Sequence, residues 1–179
     1  MYSKILFKLI QEAAIPAFGL LVIKILITTY YARMLGYNTD LYNIFSLQVS
    51  QTDYTIINSN VIFGFVIFSF FGLAYCLAKS LFFHNSHISP KVSLSIFNLR
   101  VGFLIQDSFH LFSQTLIWLL FNFSILFITL LLYFLGLIYG SVLLMSLILC
   151  LIGMYFFILD IEFEYRKGLE EGEEEVFVL

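Results

Sequence analysis

From position 108 to position 159 the chain runs for 52 residues without an Asp, Glu, Lys or Arg. A helix that crosses a bilayer needs about 20 apolar residues, because the hydrocarbon layer is about 30 Å thick and each helical residue rises about 1.5 Å. The run is too long for one crossing and suits two, at about residues 115–135 and 141–159. Gly136 and Gly140 fall between these stretches, where the chain must turn, and read as a tight hairpin. Two more stretches meet the same requirement, at about residues 13–35 and 61–83. With 61% hydrophobic and 12% charged residues, too few charges exist to cover a soluble core of this size.

Backbone groups in lipid must be satisfied internally, and these runs have helical length, not the ten-residue alternation of barrel strands. The expected fold is therefore all-α: an integral membrane protein built as a bundle of four transmembrane helices. Gly64 and Gly72, eight residues apart, are expected to let one neighbouring helix approach closely. Between residues 92 and 114, Gln106, Asp107, His110, Ser113 and Gln114 form a polar stripe at helical spacing. That pattern predicts an amphipathic helix lying along the lipid surface before the third span.

Charge gives the expected orientation. With four spans, Lys4, Lys8, Lys79, Lys91, Arg100, Arg166 and Lys167 fall on one side and Arg33 on the other. This bias places both termini in the cytoplasm, or in the matrix for an organelle product. A bacterial inner membrane is the favoured location, with an organelle inner membrane as the alternative. Residues 160–179 hold eight acids against Arg166 and Lys167, a local net charge of −6. Residues 161–179 are expected to form an acidic, disordered cytoplasmic tail that recruits a soluble partner through Glu173, Glu174, Glu175, Phe177 and Leu179. Phe177 and Leu179, two apart beside the carboxylate, suit capture by strand addition. The rest of the chain is only mildly basic, so nucleic acid is not an expected partner.

The residue that fits its surroundings least is Lys24, near the middle of the first span, where a cation costs a few kcal/mol. Two readings stay open. It faces the bundle interior, or a tilted helix lets its long stem carry the ammonium to an interface. His84 with His87, and Asp107 with His110, are each spaced i,i+3 and are weak candidates for metal ligands. Pro90 and the polar residues around it favour a loop there instead. Cys76 and Cys150 lie inside apolar runs with no paired or metal-like spacing, and read as small buried hydrophobes.

No catalytic residue and no cofactor is expected. Membrane enzymes that form disulfides need reactive cysteine pairs, and aspartate-based ones need two intramembrane aspartates; neither pattern is present. The function expected from the sequence is a non-catalytic accessory or assembly subunit of a larger membrane complex. It would pack against lipid and other membrane proteins, or self-associate. The alternative is an oligomeric transporter or channel for ions or small solutes that uses Lys24.

Overall fold

The computed structural model describes residues 2–37, 49–83 and 108–177, and side chains there except at 2–9, 11, 81–83, 108–110 and 163–177. Four helices make up these residues: α1 (Tyr2–Met34), α2 (Gln51–Phe83), α3 (Ser108–Phe134) and α4 (Gly140–Phe177). Each contains a stretch long and apolar enough to cross a membrane: Glu12–Met34, Gln51–Ser80, Leu111–Phe134 and Gly140–Glu162. The expected helical membrane architecture is present, with the helices running up, down, up and down.

α2 is the hub, packing against α1, α3 and α4, while α3 also packs against α4 and more lightly against α1. Apolar side chains fill the bundle in two levels. Ile62, Val66, Ile125, Ile138 and Val142 form one cluster near the α3–α4 hairpin, and Leu73, Leu77, Leu119 and Phe157 form another toward the chain termini. A third group, Ala32, Ile57 and Val61, joins α1 to α2. Cys76 and Cys150 are buried free thiols, as their apolar settings suggest.

The helix ends at the hairpin side are built by glycine. Gly136, at φ 70°, follows α3. Its N–H donates to the Tyr133 carbonyl at 3.0 Å, and the N–H of Leu137 donates to the Leu132 carbonyl at 2.9 Å. Gly36, at φ 84°, ends α1 with the same pair of bonds to Arg33 and Ala32. This is the Schellman closure, in which a left-handed residue lets the last carbonyls find donors. The hairpin expected around Gly136 and Gly140 is therefore a true turn.

α2 begins at Gln51, ten residues ahead of the expected 61. The reason is a capping arrangement at Ser50: the Asp53 N–H donates to Ser50 Oγ at 3.2 Å, and Ser50 Oγ donates to Asp53 Oδ2 at 2.6 Å. The Tyr37 hydroxyl, just past α1, donates to the same carboxylate oxygen at 2.7 Å and so ties the two helices together. Within this first part of α2, Thr55 Oγ1 and Asn60 Nδ2 donate back to carbonyls four residues earlier. Polar residues that read as loop are thus absorbed into a helix.

At the other end, α4 does not stop where the apolar run stops. It continues as helix to Phe177, where the sequence reading expects an irregular tail. Glutamate is an intrinsically good helix former, and Glu162 stands four residues before Arg166, the favoured order for an ion pair on a helix. The extension adds 15 residues beyond Glu162, about 22 Å of helix. The amphipathic surface helix expected over 92–114 lies, up to Asp107, outside the described residues. Its last seven residues form the opening turns of α3.

Gly64 and Gly72 serve different neighbours, contrary to the expectation of one shared face. Eight residues advance a helix by about two turns and 80°. A Cβ at Gly64 would collide with Ile27 and lie 3.0 Å from Ile23, both on α1, whereas one at Gly72 would enter the Trp118 ring on α3. Trp118 is the sole tryptophan and also meets Phe68 edge-on, with ring centroids 5.5 Å apart. Substituting Gly72→Leu must therefore push the indole off α2. In vesicles containing bromolipids, Trp118 emission should be quenched more strongly in Gly72→Leu than in the parent. Phe71→Leu, at a site 65% exposed, should leave quenching unchanged.

Candidate functional site

Inside a bilayer, a polar side chain that finds no partner on its own helix must find one on a neighbour. Polar contacts of this kind occur at three levels of the bundle.

At mid-depth, between the two apolar clusters of α2, Ser69 and Asn122 join α2 to α3. Ser69 Oγ donates to Asn122 Oδ1 at 3.2 Å, and Asn122 Nδ2 donates to the Ser69 carbonyl at 3.0 Å and to the Trp118 carbonyl at 2.9 Å. The two residues are 1% and 5% exposed, so no water competes for these groups. Two more residues, Thr115 and Thr129, return their hydroxyls to carbonyls one turn back on α3 and join nothing.

At the hairpin level α2 holds the turn directly. Asn58 Nδ2 donates to the Leu137 carbonyl at 3.2 Å, and the Tyr139 N–H donates to Ser59 Oγ at 3.0 Å. These bonds satisfy backbone groups that the turn removes from the helical ladder.

At the terminal level two carboxylates lie inside the bundle. The Asp160 carboxylate accepts from Ser80 Oγ at 3.0 and 2.9 Å through its two oxygens, with Asp160 8% and Ser80 4% exposed. Glu12 Oε2 accepts from Ser113 Oγ at 3.1 Å, which joins α1 to α3. Ser113 belongs to the polar stripe expected to face the lipid headgroups, yet it turns into the bundle. Around these groups Phe112 and Phe157 stack with centroids 5.9 Å apart, closing α3 on α4.

Lys24 lies in the middle of the α1 span and is half-buried. It occurs one turn from Leu20 and one turn from the buried Thr28, on the inward half of α1. Elsewhere in the bundle an apolar space of about 210 Å³ lies between α2 and α4, lined by residues that include Phe70, Leu73, Ala74, Ala78, Gly153 and Phe156. No polar side chain lines it, so it offers shape without chemistry.

The other sequence candidates are not brought together among the described residues. His84, His87 and Asp107 lie outside them, and His110 lies in the first turn of α3 with its side chain outside them. Among the described residues no group of three or more His, Cys, Asp or Glu side chains could hold a metal ion. Glu173, Glu174, Glu175 and Phe177 fall on the helical extension of α4, with side chains outside the described ones, and Leu179 lies beyond it.

Sequence reasoning missed Ser69, Asn122, Ser80 and the inward placement of Asp160. Asn122 was legible in principle, since an amide in the middle of an apolar run demands a partner; only the partner's identity needed the fold. Comparison with protein families, with curated proteins and with solved structures finds no match for this chain.

The Ser69–Asn122 contact yields a test. Interhelical hydrogen bonds in membranes contribute about 0.6 kcal/mol on average and up to about 1.7. Asn122→Leu and Ser69→Ala should each destabilise the reconstituted protein. Together they should cost less than the sum, by about 0.6–1.7 kcal/mol of coupling. Reversible unfolding in bicelles measures this, and strict additivity would show that the two side chains do not act as a pair.

Proposed function

We propose that the chain is a non-catalytic accessory or assembly subunit of a larger membrane complex, with both termini in the cytoplasm and a partner-binding acidic segment after Glu162. The observation that carries this reading is the use made of intramembrane polar groups. Ser69 with Asn122, Ser80 with Asp160, Glu12 with Ser113, and Asn58 and Ser59 with the hairpin all join one helix to another. They are not gathered on a common lumen, and the cavity between α2 and α4 is apolar. A bundle of this kind is a scaffold whose information lies on its outer surface and at its ends.

The outer surface suits packing in lipid and against other membrane proteins. α3 presents Leu120, Phe123, Phe127 and Leu131 outward, and α4 presents Leu144, Leu147, Leu151 and Tyr155. Beyond the bilayer edge, the extension of α4 to Phe177 carries the excess of acids at Glu170, Glu171, Glu173, Glu174 and Glu175. A net charge of −6 over residues 160–179 favours a soluble partner with a basic face. The seven-to-one distribution of Lys and Arg supports the cytoplasmic placement, with a bacterial inner membrane favoured over an organelle one.

The test is purification of the native complex in mild detergent, with and without residues 168–179. Stoichiometric partners should co-purify with the full chain, and the soluble ones should be lost on truncation. Retention of every partner by the truncated chain would refute the role of the tail. Recovery of self-oligomers alone, with vesicle flux that responds to Lys24→Leu, would replace this reading with the transport alternative.

A further inference from the structure

Turns that stand in water draw mainly on Gly, Pro, Asn, Asp and Ser. The turn between α3 and α4 does not: every residue from 130 to 140 is Leu, Ile, Phe, Tyr or Gly. Ile138 is anchored in the apolar cluster with Ile62 and Val66, while Phe134 and Leu135 face outward, 75% and 67% exposed. The backbone of this turn is served from inside the protein. The N–H groups of Leu135, Gly136 and Leu137 donate to carbonyls of α3, and that of Val142 donates to the Tyr139 carbonyl. α2 adds two further partners: Ser59 Oγ accepts from the Tyr139 N–H, and Asn58 Nδ2 donates to the Leu137 carbonyl. The Tyr133 ring lies over the start of α4, 3.3 Å from where a Cβ on Gly140 would stand. In water a turn needs no such provision, because the solvent donates and accepts in its place.

Distances along α2 give the depth. Ser59, which holds the turn, and Ser80, which holds Asp160, are 21 residues apart, about 32 Å of helix. That is the thickness of the hydrocarbon layer, about 30 Å. The stretches able to span end beside the second level, at Ser80 on α2 and Glu162 on α4. With Ser80 and Asp160 at one hydrocarbon boundary, the turn reaches the other boundary and no farther. The ends of α1 and α2 on that side go higher. Asp53 stands five residues before Asn58, about 8 Å farther along α2. Its carboxylate accepts from the hydroxyls of Tyr37 and Ser50, and Thr52 joins the same exposed cluster. Such groups belong in water, and the step down to the turn matches a headgroup layer of about 5–8 Å.

We infer that the α3–α4 turn is a lipid-contacting surface: it ends beneath the phospholipid headgroups on the hairpin side and is held at that depth by Asn58 and Ser59. Phe134 and Leu135 meet acyl chains, and the half-exposed Tyr133 and Tyr139 lie at the headgroup boundary, where amphipathic rings are favoured. Water is the poorer occupant, since it would leave two large apolar side chains wet and would make the bonds from α2 redundant. The inference stands apart from the accessory-subunit reading. It adds that a soluble partner approaching from the hairpin side meets the end of α1 and α2, around Ser50 and Asp53, and not the turn.

The test places a nitroxide on the full chain in phosphatidylcholine vesicles through Leu135→Cys, Phe127→Cys or Gln51→Cys, with Cys76→Ala and Cys150→Ala beneath each. Oxygen concentrates in lipid and a neutral nickel chelate in water, so the ratio of their collision rates with the label reads depth. The ratio at 135 should exceed that at 51 several-fold and fall below that at 127, which is exposed on α3 eight residues deeper. Asn58→Leu combined with Ser59→Ala should lower the ratio at 135 toward that at 51, as the unpaired turn is drawn to water. Unchanged helicity and Trp118 emission verify that each variant is folded. A ratio at 135 equal to that at 51 would place the turn in water and overturn the inference. Low collision rates with both reagents at 135 would show that protein covers the turn in place of lipid, and would overturn it as well. A ratio that ignores the loss of Asn58 and Ser59 would overturn the part given to those two residues.

Discussion

Hydrocarbon supplies no water to a polar group, and every other feature of this bundle follows from that. Apolar side chains gain nothing by leaving lipid for one another, so helix association rests on close packing and on hydrogen bonds between helices. The chain meets both needs on α2. Ser59, Ser69 and Ser80, spread along that helix, reach the hairpin, α3 and α4 in turn. Each contact selects one rotation and one vertical register for the neighbour it holds. Three polar ties spaced along one hub define a bundle in a solvent that cannot drive collapse.

Packing supplies the rest through complementary sizes. Where α2 has no side chain, a neighbour has a large one: Ile27 over Gly64 and Trp118 over Gly72. Where α4 has none, at Gly153, Leu73 of α2 fills the space. Large and small residues alternate in direction across the interfaces, so neither helix can slide without a collision. The deeper polar pair is protected by the same arrangement, because Trp118 covers α2 and its own carbonyl accepts from Asn122.

What the sequence reveals and conceals divides along physical lines. Composition over 20-residue windows marks the spans, since it measures transfer into lipid and needs no tertiary contact. Gly136 marks its own turn, because a left-handed backbone needs glycine locally. Asn58, Ser59 and Asn60 misled the reading of α2 because their polarity suggests water, while their partners are the hairpin 79 and 80 residues away or the preceding turn. The available signal was Ser50 with Asp53 three residues on, a capping pattern. Asp160 stood at the edge of an apolar run and read as a boundary. Its burial depends on Ser80, which lies on a helix 80 residues distant in sequence. Long-range pairing of this kind has no local trace.

α1 is the least enclosed of the four, with 11% of its spanning window buried against 39% for α2, and it carries the charge that lipid tolerates least. Its rotation is nevertheless held at three points. Glu12 is tied to Ser113 near one end, Tyr37 to Asp53 past the other, and Ile23 and Ile27 sit over Gly64 between them. A helix held at both ends and keyed in the middle resists turning Lys24 from one flank to another. The face of α1 on which Lys24 stands is therefore a property of the whole bundle, set by contacts up to 13 positions away along α1 and its following turn.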